Sequence, residues 1–334
     1  MKAIRIFAAL LAVALMSTGC AARNAVRAPS SVAPARPSEV VVPAPTPVPS
    51  SIPSSVPSSH PSSVPSSEPD LRPEPEHEPD RATETDNHTA SRVVPTMSAD
   101  FSQIGALEGE KKGWGPGGPV DNENRPNGAT HYQQIYGKYD AYFIAPATNK
   151  IYLTFDEGYE NGYTAPILDT LKEKSVKAVF FVTLPYAKSE PELIKRMIDE
   201  GHTIGNHSSK HLSFPEMPIE EAAADIKQLH DYMKANYGYE MWLFRPPMGE
   251  FSEQTLALVH SMGYKTVFWS FAYRDWLVDD QPLTLEALGN ITAKCHPGAI
   301  YLLHAVSQTN AEILGDAIDQ IQDKGFVFAS WDIY

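Results

Sequence analysis

From Lys150 to the C-terminus, short apolar segments alternate with longer amphipathic segments, and few folds accommodate this alternation. The amphipathic segments have apolar residues at helical spacing and end at glycine, as residues 219–237 do before Gly238. The apolar segments have the length and composition of buried strands; they span 151–155, 178–183, 203–205, 241–244, 265–269, 299–303 and 326–329. Strands that alternate with helices pair in parallel, so we predict an α/β fold, a closed or nearly closed (β/α) barrel with about seven strands.

Two of the predicted helices have capping-box patterns at their start. Residues 189–192 are Ser-Glu-Pro-Glu and residues 309–312 are Thr-Asn-Ala-Glu, in which a hydroxyl group and an acid three positions later can cap the main chain reciprocally. We therefore predict that these helices begin at Ser189 and Thr309 and end at Gly201 and Gly325.

Polar side chains follow five of the predicted strands, at the end where parallel folds place their active sites. The first strand leads into Asp156 and Glu157, adjacent carboxylates that could equally face water as a strand cap. The third leads into His207 and His211, a spacing that suits one transition-metal ion, although such pairs are more often surface histidines. The next three strand ends carry an arginine, an acid beside an aromatic residue, and an imidazole, at Arg245, Asp275-Trp276 and His304. Each alone has an ordinary structural explanation, but their joint occurrence predicts one active site.

These motifs are similar, in order and type, to the five motifs of the NodB-type polysaccharide deacetylases, carbohydrate esterase family 4. In this chain they are Thr-Phe-Asp-Glu-Gly at 154–158, His-Ser-x-x-His at 207–211, Arg-x-Pro at 245–247, Asp-Trp at 275–276 and Leu-x-His at 302–304. The resemblance covers roughly residues 150–332 and implies the distorted (β/α) barrel of the NodB-homology domain. Within the family, the chain looks most like the muramic-acid de-N-acetylases that make peptidoglycan δ-lactam precursors, through residues 159–164, 245–247 and 296–304.

The resemblance implies catalytic roles for four of these residues. Asp156 matches the general base that takes a proton from the attacking water, and Arg245 matches the residue that orients that carboxylate. His304 matches the general acid that protonates the departing amine, and Asp275 matches the acid that supports this imidazole. A base and an acid on opposite sides of a tetrahedral intermediate must keep different protonation states, so their surroundings must differ.

The resemblance also implies a divalent metal ion, expected to be zinc, and a small pocket for the acetyl group. His207 and His211 match the metal ligands of the family. Leu302 and Trp276 match the walls around the acetyl methyl, and the main-chain N–H near Met248 matches the donor to the oxyanion.

Glu157 departs from the family pattern, because most members have an aspartate metal ligand at this position. The muramic-acid branch often has a non-acidic residue there. Glutamate is one methylene longer, so it could ligate the ion, reach a solvent-side position, or leave a two-histidine site weakly loaded. We expect Glu157 to ligate or nearly ligate the ion, with weaker binding than an aspartate would give.

The expected function is metal-dependent de-N-acetylation of N-acetylmuramic acid in peptidoglycan, which releases acetate and is a step towards the muramic δ-lactam. The same motifs would serve a deacetylase of N-acetylglucosamine in peptidoglycan or chitin oligomers, or a xylan O-acetyl esterase. An alternative of another class is a wall-binding protein that has kept the fold and lost turnover through Glu157.

The first 98 residues predict export, anchoring and a spacer. Residues 1–20 resemble a bacterial lipoprotein signal, since the apolar segment ends in Ser-Thr-Gly before Cys20; signal cleavage with an incidental thiol is the alternative. Residues 21–98 are rich in proline and serine and poor in large apolar side chains, so we expect a disordered tether. We therefore expect a lipid on Cys20 and a location on the outer face of the cytoplasmic membrane, in the cell envelope.

Residues 99–149 are rich in glycine and aromatic side chains, and we expect them to wrap around a deacetylase domain at 150–334. Trp114 would pack against that domain or form a platform for substrate. With Cys20 lipidated, Cys295 has no partner for an intramolecular disulfide. The formal net charge of −14 argues against nucleic acid as a partner. We expect a monomer that binds glycan strands of peptidoglycan and meets the membrane only through its lipid.

Overall fold

Parallel strands build the main sheet of this domain. The structure, a computed structural model, describes residues 99–333. The strands are β1 (Lys112–Gly113), β2 (Ala141–Tyr142), β3 (Lys150–Glu157), β4 (Val179–Val182), β5 (Thr203–Asn206), β6 (Leu243–Phe244), β7 (Glu250–Phe251), β8 (Lys265–Val267), β9 (Phe271–Ala272), β10 (Ala299–His304) and β11 (Val327–Phe328). The helices are α1 (Phe101–Ile104), α2 (Asn127–Tyr136), α3 (Thr164–Glu173), α4 (Leu184–Ser189), α5 (Pro191–Asp199), α6 (Ile219–Tyr237), α7 (Glu253–Ser261), α8 (Thr284–Ala293) and α9 (Gln308–Asp323).

The predicted lipoprotein signal, the tether and Cys20 lie outside the described residues. Between residues 99 and 333, no helix combines the length and the apolar character that crossing a membrane requires.

The main sheet is an open half-barrel. Its path is β2–β8–β6–β5–β4–β3–β10–β9, and every pairing along this path is parallel. β11 pairs with the first residues of β3, and β1 and β7 form a separate antiparallel pair. The predicted parallel α/β barrel is therefore confirmed in an open form. The sequence pattern misses β2 and β9, because a strand of two residues is too short to show a period.

The two faces of β3 line different parts of the core. Its odd-numbered apolar residues pack against α3 and α9, whereas Tyr152 belongs to a second apolar cluster on the inner face of the half-barrel. Successive side chains of a strand point to opposite faces. Asp156 therefore shares the inner face with Tyr152, and Glu157 shares the helix-covered face.

The register between β3 and β10 brings two of the predicted catalytic groups to one edge of the sheet. The two strands run parallel with His304 opposite Asp156. Leu302 belongs to the inner cluster, and His304, two residues further on, points to the same face. The carboxyl ends of β3 and β10 thus present an acid and an imidazole side by side.

Residues 99–149 complete the inner cluster. Trp114 is buried and donates its indole N–H to the carbonyl oxygen of Trp269 at 2.9 Å. Phe143 stacks on Phe268 with ring centroids 4.1 Å apart, and β2 extends the edge of the sheet beside β8. Of the two predicted roles for Trp114, packing against the domain is the one that the structure shows.

Two helices begin at other residues than the capping-box patterns predict. The first residue of α5 is Pro191, and Ser189 instead ends α4 with its hydroxyl donated to the Tyr186 carbonyl. α9 begins at Gln308 because Ser307, one residue earlier, accepts the N–H of Asn310 on its hydroxyl. Both predicted caps are therefore wrong.

Candidate active site

The carboxyl ends of the parallel strands surround a cleft of about 390 Å³. Its lining includes most of the residues that the motifs predict, namely Asp156, His207, His211, Met248, Trp276, Leu302 and His304, together with Gly249 and Trp269. Arg245 and Asp275 are each fully buried, in direct contact with Asp156 and His304 respectively. The fold therefore assembles nine of the ten predicted site residues in this region, and Glu157 is the exception.

A larger cavity, of about 600 Å³, lies between residues 115–118 and the segment from β9 to α8. Its lining residues include none of the predicted acid, base or metal-binding side chains. We therefore assign the chemistry to the smaller cleft.

Arg245 holds the carboxylate of Asp156 from beneath the cleft. Its Nη1 donates to Oδ1 of Asp156 at 2.7 Å, and its Nη2 donates to the Thr154 hydroxyl at 2.8 Å. The Nε donates to the main-chain carbonyl of Val267 at 3.0 Å, and the guanidinium lies 4.1 Å from the ring centroid of Phe181. The fully buried guanidinium is thus fixed by partners on several strands, and its geometry with Asp156 is rigid.

The charge of Asp156 follows from these contacts. Burial alone raises the pKa of this carboxyl group, but the positive charge of Arg245 and the neighbouring His207 and His304 outweigh burial. The pKa of Asp156 is therefore lowered, and the group is a carboxylate at neutral pH. An ionised carboxylate that faces a cleft can accept a proton.

His207 and His211 lie on a tight turn after β5. Ser208 and His211 both have positive φ, of 71° and 53°, and the Ser208 hydroxyl accepts the main-chain N–H of His211 at 2.7 Å. Asn206 closes the same turn by accepting the N–H of Ser208 at 2.8 Å. The two imidazole rings meet edge to face with centroids 4.9 Å apart. Local side-chain hydrogen bonds thus stabilise a backbone conformation that few residues adopt.

Both histidines are neutral at physiological pH. Burial lowers the pKa of His207 to about 4, and burial also lowers the pKa of His211. Nδ1 of His207 lies 2.9 Å from the carbonyl oxygen of Arg245, so Nδ1 carries the hydrogen and Nε2 keeps its lone pair. That Nε2 lies 3.4 Å from Oδ2 of Asp156.

These two imidazoles fit a divalent metal ion in part. Neutral imidazole nitrogens beside a carboxylate are donors that suit zinc and similar ions. Among residues 99–333, however, no three His, Cys, Asp or Glu side chains form a complete metal-binding group. His207 and His211 would therefore supply two ligand positions, and water or substrate would have to supply the others.

Glu157 points away from the cleft, which contradicts the expectation that it ligates the same ion. Its side chain is fully buried on the helix-covered face of β3, and neither of its carboxyl oxygens has a hydrogen-bond partner within the described residues. The nearby Thr164 hydroxyl donates instead to Glu160, at 2.5 Å. Burial, together with the negative charges of Glu160 and Asp156, raises the pKa of Glu157 well above its ordinary value. Strand alternation decides the outcome, since two adjacent strand residues cannot both face the cleft.

Glu157→Gln is expected to raise the free energy of unfolding at neutral and alkaline pH. A raised pKa stabilises the folded state below the ordinary pKa of the group, and that stabilisation is lost as the pH rises through the folded pKa. The free energy of unfolding falls by about 1.4 kcal/mol per pH unit between the unfolded-state pKa and the folded-state pKa of Glu157. Glutamine stays neutral, so the stability of Glu157→Gln relative to the wild-type protein should increase with pH over this range. Chemical denaturation of both proteins across the pH range measures this, with the exposed Glu173→Gln as control; an unchanged pH dependence in Glu157→Gln would contradict the interpretation.

His304 and Asp275 form the second charged pair of the cleft. Nδ1 of His304 lies 2.7 Å from Oδ1 of Asp275, and the main-chain N–H of His304 donates to Oδ2 at 2.8 Å. Burial lowers the pKa of His304, but the hydrogen bond and charge of Asp275, with the charge of Asp156, outweigh it and raise the pKa. Because Nδ1 faces Asp275, Nε2 is the nitrogen that can exchange a proton in the cleft.

The remaining predicted residues form the walls. Leu302 lies at the base of the cleft on β10, whereas Trp276 and Met248 are about half exposed at the rim. Met248 and Gly249 both have positive φ. A Cβ at Gly249 would lie 2.7 Å from the Trp269 ring, so this turn requires glycine to bring the main chain close to the cleft.

Three residues that support the site were given no role in it from the sequence. Thr154 accepts a hydrogen bond from Arg245, and a buried hydroxyl between the apolar residues Leu153 and Phe155 is a signal that could have found it. Asn310 donates to Asp275, and Tyr273 donates to Asn310. No local sequence pattern predicts these two contacts. Their contribution depends on contacts between distant segments.

Three comparisons with known proteins bear on the arrangement. The sequence model of a family described as polysaccharide deacetylase matches residues 144–267. The peptidoglycan-N-acetylmuramic acid deacetylase PdaA of Bacillus subtilis is 41% identical over 238 residues, which are 71% of this chain and 90% of that protein. A peptidoglycan-N-acetylglucosamine deacetylase of Bacillus cereus is 32% identical over 197 residues, 57% of this chain and 70% of that protein.

Solved structures agree with the sequence matches. The structure of B. subtilis PdaA, described as a family 4 carbohydrate esterase, matches with a TM-score of 0.64 and 40% identity over 67% of this chain and 96% of that chain. A family 4 carbohydrate esterase from Bacillus anthracis matches with a TM-score of 0.57 and 41% identity over 68% of this chain and 97% of that chain.

Proposed function

The chain belongs to the polysaccharide deacetylase family, carbohydrate esterase family 4, and from this premise we propose that it removes the acetyl group from N-acetylmuramic acid in peptidoglycan. The observation that carries the proposal is the pair of acid–base groups in one cleft: Asp156 held by Arg245, and His304 held by Asp275. The 41% identity to a deacetylase named for this sugar supports the choice of substrate.

The cleft residues account for hydrolysis of an acetamide. Asp156, ionised by Arg245, takes a proton from the water that attacks the acetyl carbonyl. Met248, Leu302 and Trp276 all line the cleft. As the family resemblance implies, the main-chain N–H near Met248 would donate to the oxyanion that forms, and Leu302 and Trp276 would enclose the acetyl methyl. His304, protonated beside Asp275, gives its proton to the amine as the C–N bond breaks. Acetate and a free amino sugar are the products.

We also propose a divalent ion, expected to be zinc, at His207 and His211. When bound, such an ion polarises the carbonyl and lowers the pKa of water towards about 7. The neutral state of both imidazoles and the fixed tautomer of His207 support binding at their lone pairs. Removal of the ion with a chelator should reduce acetate release, and its return should restore the rate.

Asp275→Asn is expected to move the alkaline limb of the pH–rate profile to lower pH by about one unit. Activity requires protonated His304, so it falls as the pH rises through the pKa of this imidazole. The hydrogen bond and charge of Asp275 keep that pKa raised against the effect of burial. The measurement is acetate release as a function of pH, with Asp280→Asn on the same loop as the exposed control. An alkaline limb that does not move would contradict the assigned role of His304.

The test of substrate is acetate release from purified peptidoglycan, followed by mass spectrometry of the digested muropeptides. Loss of one acetyl group from muramic acid supports the proposal. Loss from glucosamine would favour the activity that names the B. cereus relative. The same spectra show whether muramic acid stays free or closes into the δ-lactam. Xylan and chitin oligomers serve as comparison substrates, and release from xylan alone would exclude peptidoglycan.

For the N-terminal region, we propose export by residues 1–20, a lipid on Cys20 and a spacer over residues 21–98, which together place a monomeric domain in the cell envelope. The motif before Cys20 and the peptidoglycan in the name of the B. subtilis relative support this. Mass spectrometry of the mature N-terminus tests it, and Cys20→Ser should release the protein from the membrane fraction.

A further inference from the structure

The amide of Asn310 lies directly behind the His304–Asp275 pair, in the first turn of α9. We infer that Asn310 is a positioning residue for this pair and that Tyr273 fixes the direction of its amide. The inference deepens the proposed function and rests on it, because it concerns the residue to which the proton-donating role is given.

The contacts of Asn310 are complete and specific. Its Nδ2 donates to Oδ2 of Asp275 at 2.6 Å and to the main-chain carbonyl of His304 at 3.1 Å. Its Oδ1 accepts from the hydroxyl of Tyr273, and its main-chain N–H donates to the Ser307 hydroxyl at 3.1 Å. The residue is 1% exposed, so these bonds are shielded from bulk solvent.

Only one orientation of the amide satisfies this set of partners. An ionised carboxylate and a main-chain carbonyl are acceptors only, so the NH₂ group must face Asp275 and His304. The oxygen of the amide then faces Tyr273, whose hydroxyl can donate. With the amide reversed, two oxygens would meet at Asp275 and a buried carboxylate would lose a donor.

The consequence for Asp275 is that each oxygen has its own fixed partners. Oδ2 accepts the N–H of His304 and the amide of Asn310, which leaves Oδ1 for the imidazole. Without the amide, Oδ2 keeps one donor, and the fully buried carboxylate can turn away from the ring. The imidazole would then lose the contact that aims Nε2 into the cleft.

Asn310 does not line the cleft, so it should act on turnover rather than on binding of substrate. The matched substitution is Asn310→Leu, which keeps the shape of the side chain and removes the amide. We expect kcat for acetate release to fall about 10- to 100-fold, the effect of one hydrogen bond to a charged group, with KM unchanged within twofold. Tyr273→Phe should also lower kcat, by a smaller factor than Asn310→Leu does.

Thr309→Val is the control for damage to the helix start. Thr309 is buried one residue earlier, and its hydroxyl donates to the Pro282 carbonyl rather than to the charged pair. We expect Thr309→Val to keep the wild-type kcat even if its melting temperature falls as far as that of Asn310→Leu. An Asn310→Leu protein that retains more than half of kcat would overturn the inference.

A double-mutant cycle tests whether Asn310 acts through Asp275. In an Asp275→Asn background, Asn310→Leu should reduce kcat by less than twofold. A full additional loss there would overturn the inference, because it would show that Asn310 acts by another route.

A spectroscopic readout separates this inference from the proposed function. The Nδ1 proton of His304, in a short hydrogen bond to a carboxylate, should give a downfield proton NMR signal that Asn310→Leu shifts or removes and Thr309→Val leaves in place. If the wild-type protein releases no acetate, the proposed function fails and this signal still decides the positioning role. An unchanged signal in Asn310→Leu would overturn it.

Discussion

Asp156→Asn is expected to lower the rate of acetate release by about 10²- to 10⁴-fold, the usual contribution of a general base. Asparagine has the same shape as aspartate and can still accept from Arg245 through its oxygen, but its amide cannot take a proton from water. The effect should therefore appear in kcat more than in KM. Initial rates of acetate release at neutral pH measure it.

The control for this substitution is Asp169→Asn, which weakens another aspartate–arginine pair, the one with Arg196 on the surface. It should change neither the rate nor the metal content. Circular dichroism below the melting temperature must show that Asp156→Asn is folded, because its buried arginine loses a charged partner. A folded Asp156→Asn protein with more than a tenth of the wild-type rate would show that another group is the base.

Arg245→Met is expected to lower the free energy of unfolding by about 3–5 kcal/mol at neutral pH and to abolish most activity. The substitution leaves Asp156 buried and without its counter-charge, and it removes the donors to Thr154 and to the main chain of β8. Removal of one partner of a buried pair costs more than the pair contributes, because the remaining charge stays desolvated. Urea denaturation measures the change.

The destabilisation caused by Arg245→Met should be smaller in acid than at neutral pH. The lowered pKa of Asp156 stabilises the folded protein above the ordinary pKa of the group, and this stabilisation is lost as the pH falls through the folded pKa. The destabilisation of Arg245→Met should therefore shrink in acid, where Asp156 is protonated in both proteins.

The double variant Asp156→Asn/Arg245→Met tests the same interaction independently. It removes both charges, so it should be more stable than the sum of the two single losses predicts. Strictly additive losses would contradict the ion-pair explanation.

The sequence was most informative where a side chain acts through its type and its place at a strand end. Asp156, His207, Arg245, Asp275 and His304 each come after a predicted strand, and parallel strands bring such positions to one edge. That is why the parallel α/β fold and the family could be predicted before the structure. The predicted helix starts were less accurate. Near the start of α9, for example, both Ser307 and Thr309 carry a hydroxyl group that could cap the helix, and Ser307 is the residue that does so.

Glu157 shows what a strand-end motif does not decide. Two adjacent acids look equivalent in the sequence, but the face on which each lies depends on which face of β3 the helices cover. One acid becomes an ionised group in the cleft, and the other becomes a buried group with a raised pKa.

The sequence by itself determined the strand–helix alternation, the residue types at the strand ends and the family, because these depend on local composition and spacing. Only the tertiary structure decided the direction of Glu157, the register that sets His304 opposite Asp156, and the contact of Asn310 with Asp275. Those features depend on pairing and packing between segments far apart in the chain. A side chain 35 positions away can complete a hydrogen-bonded pair only after the sheet and α9 have brought it there.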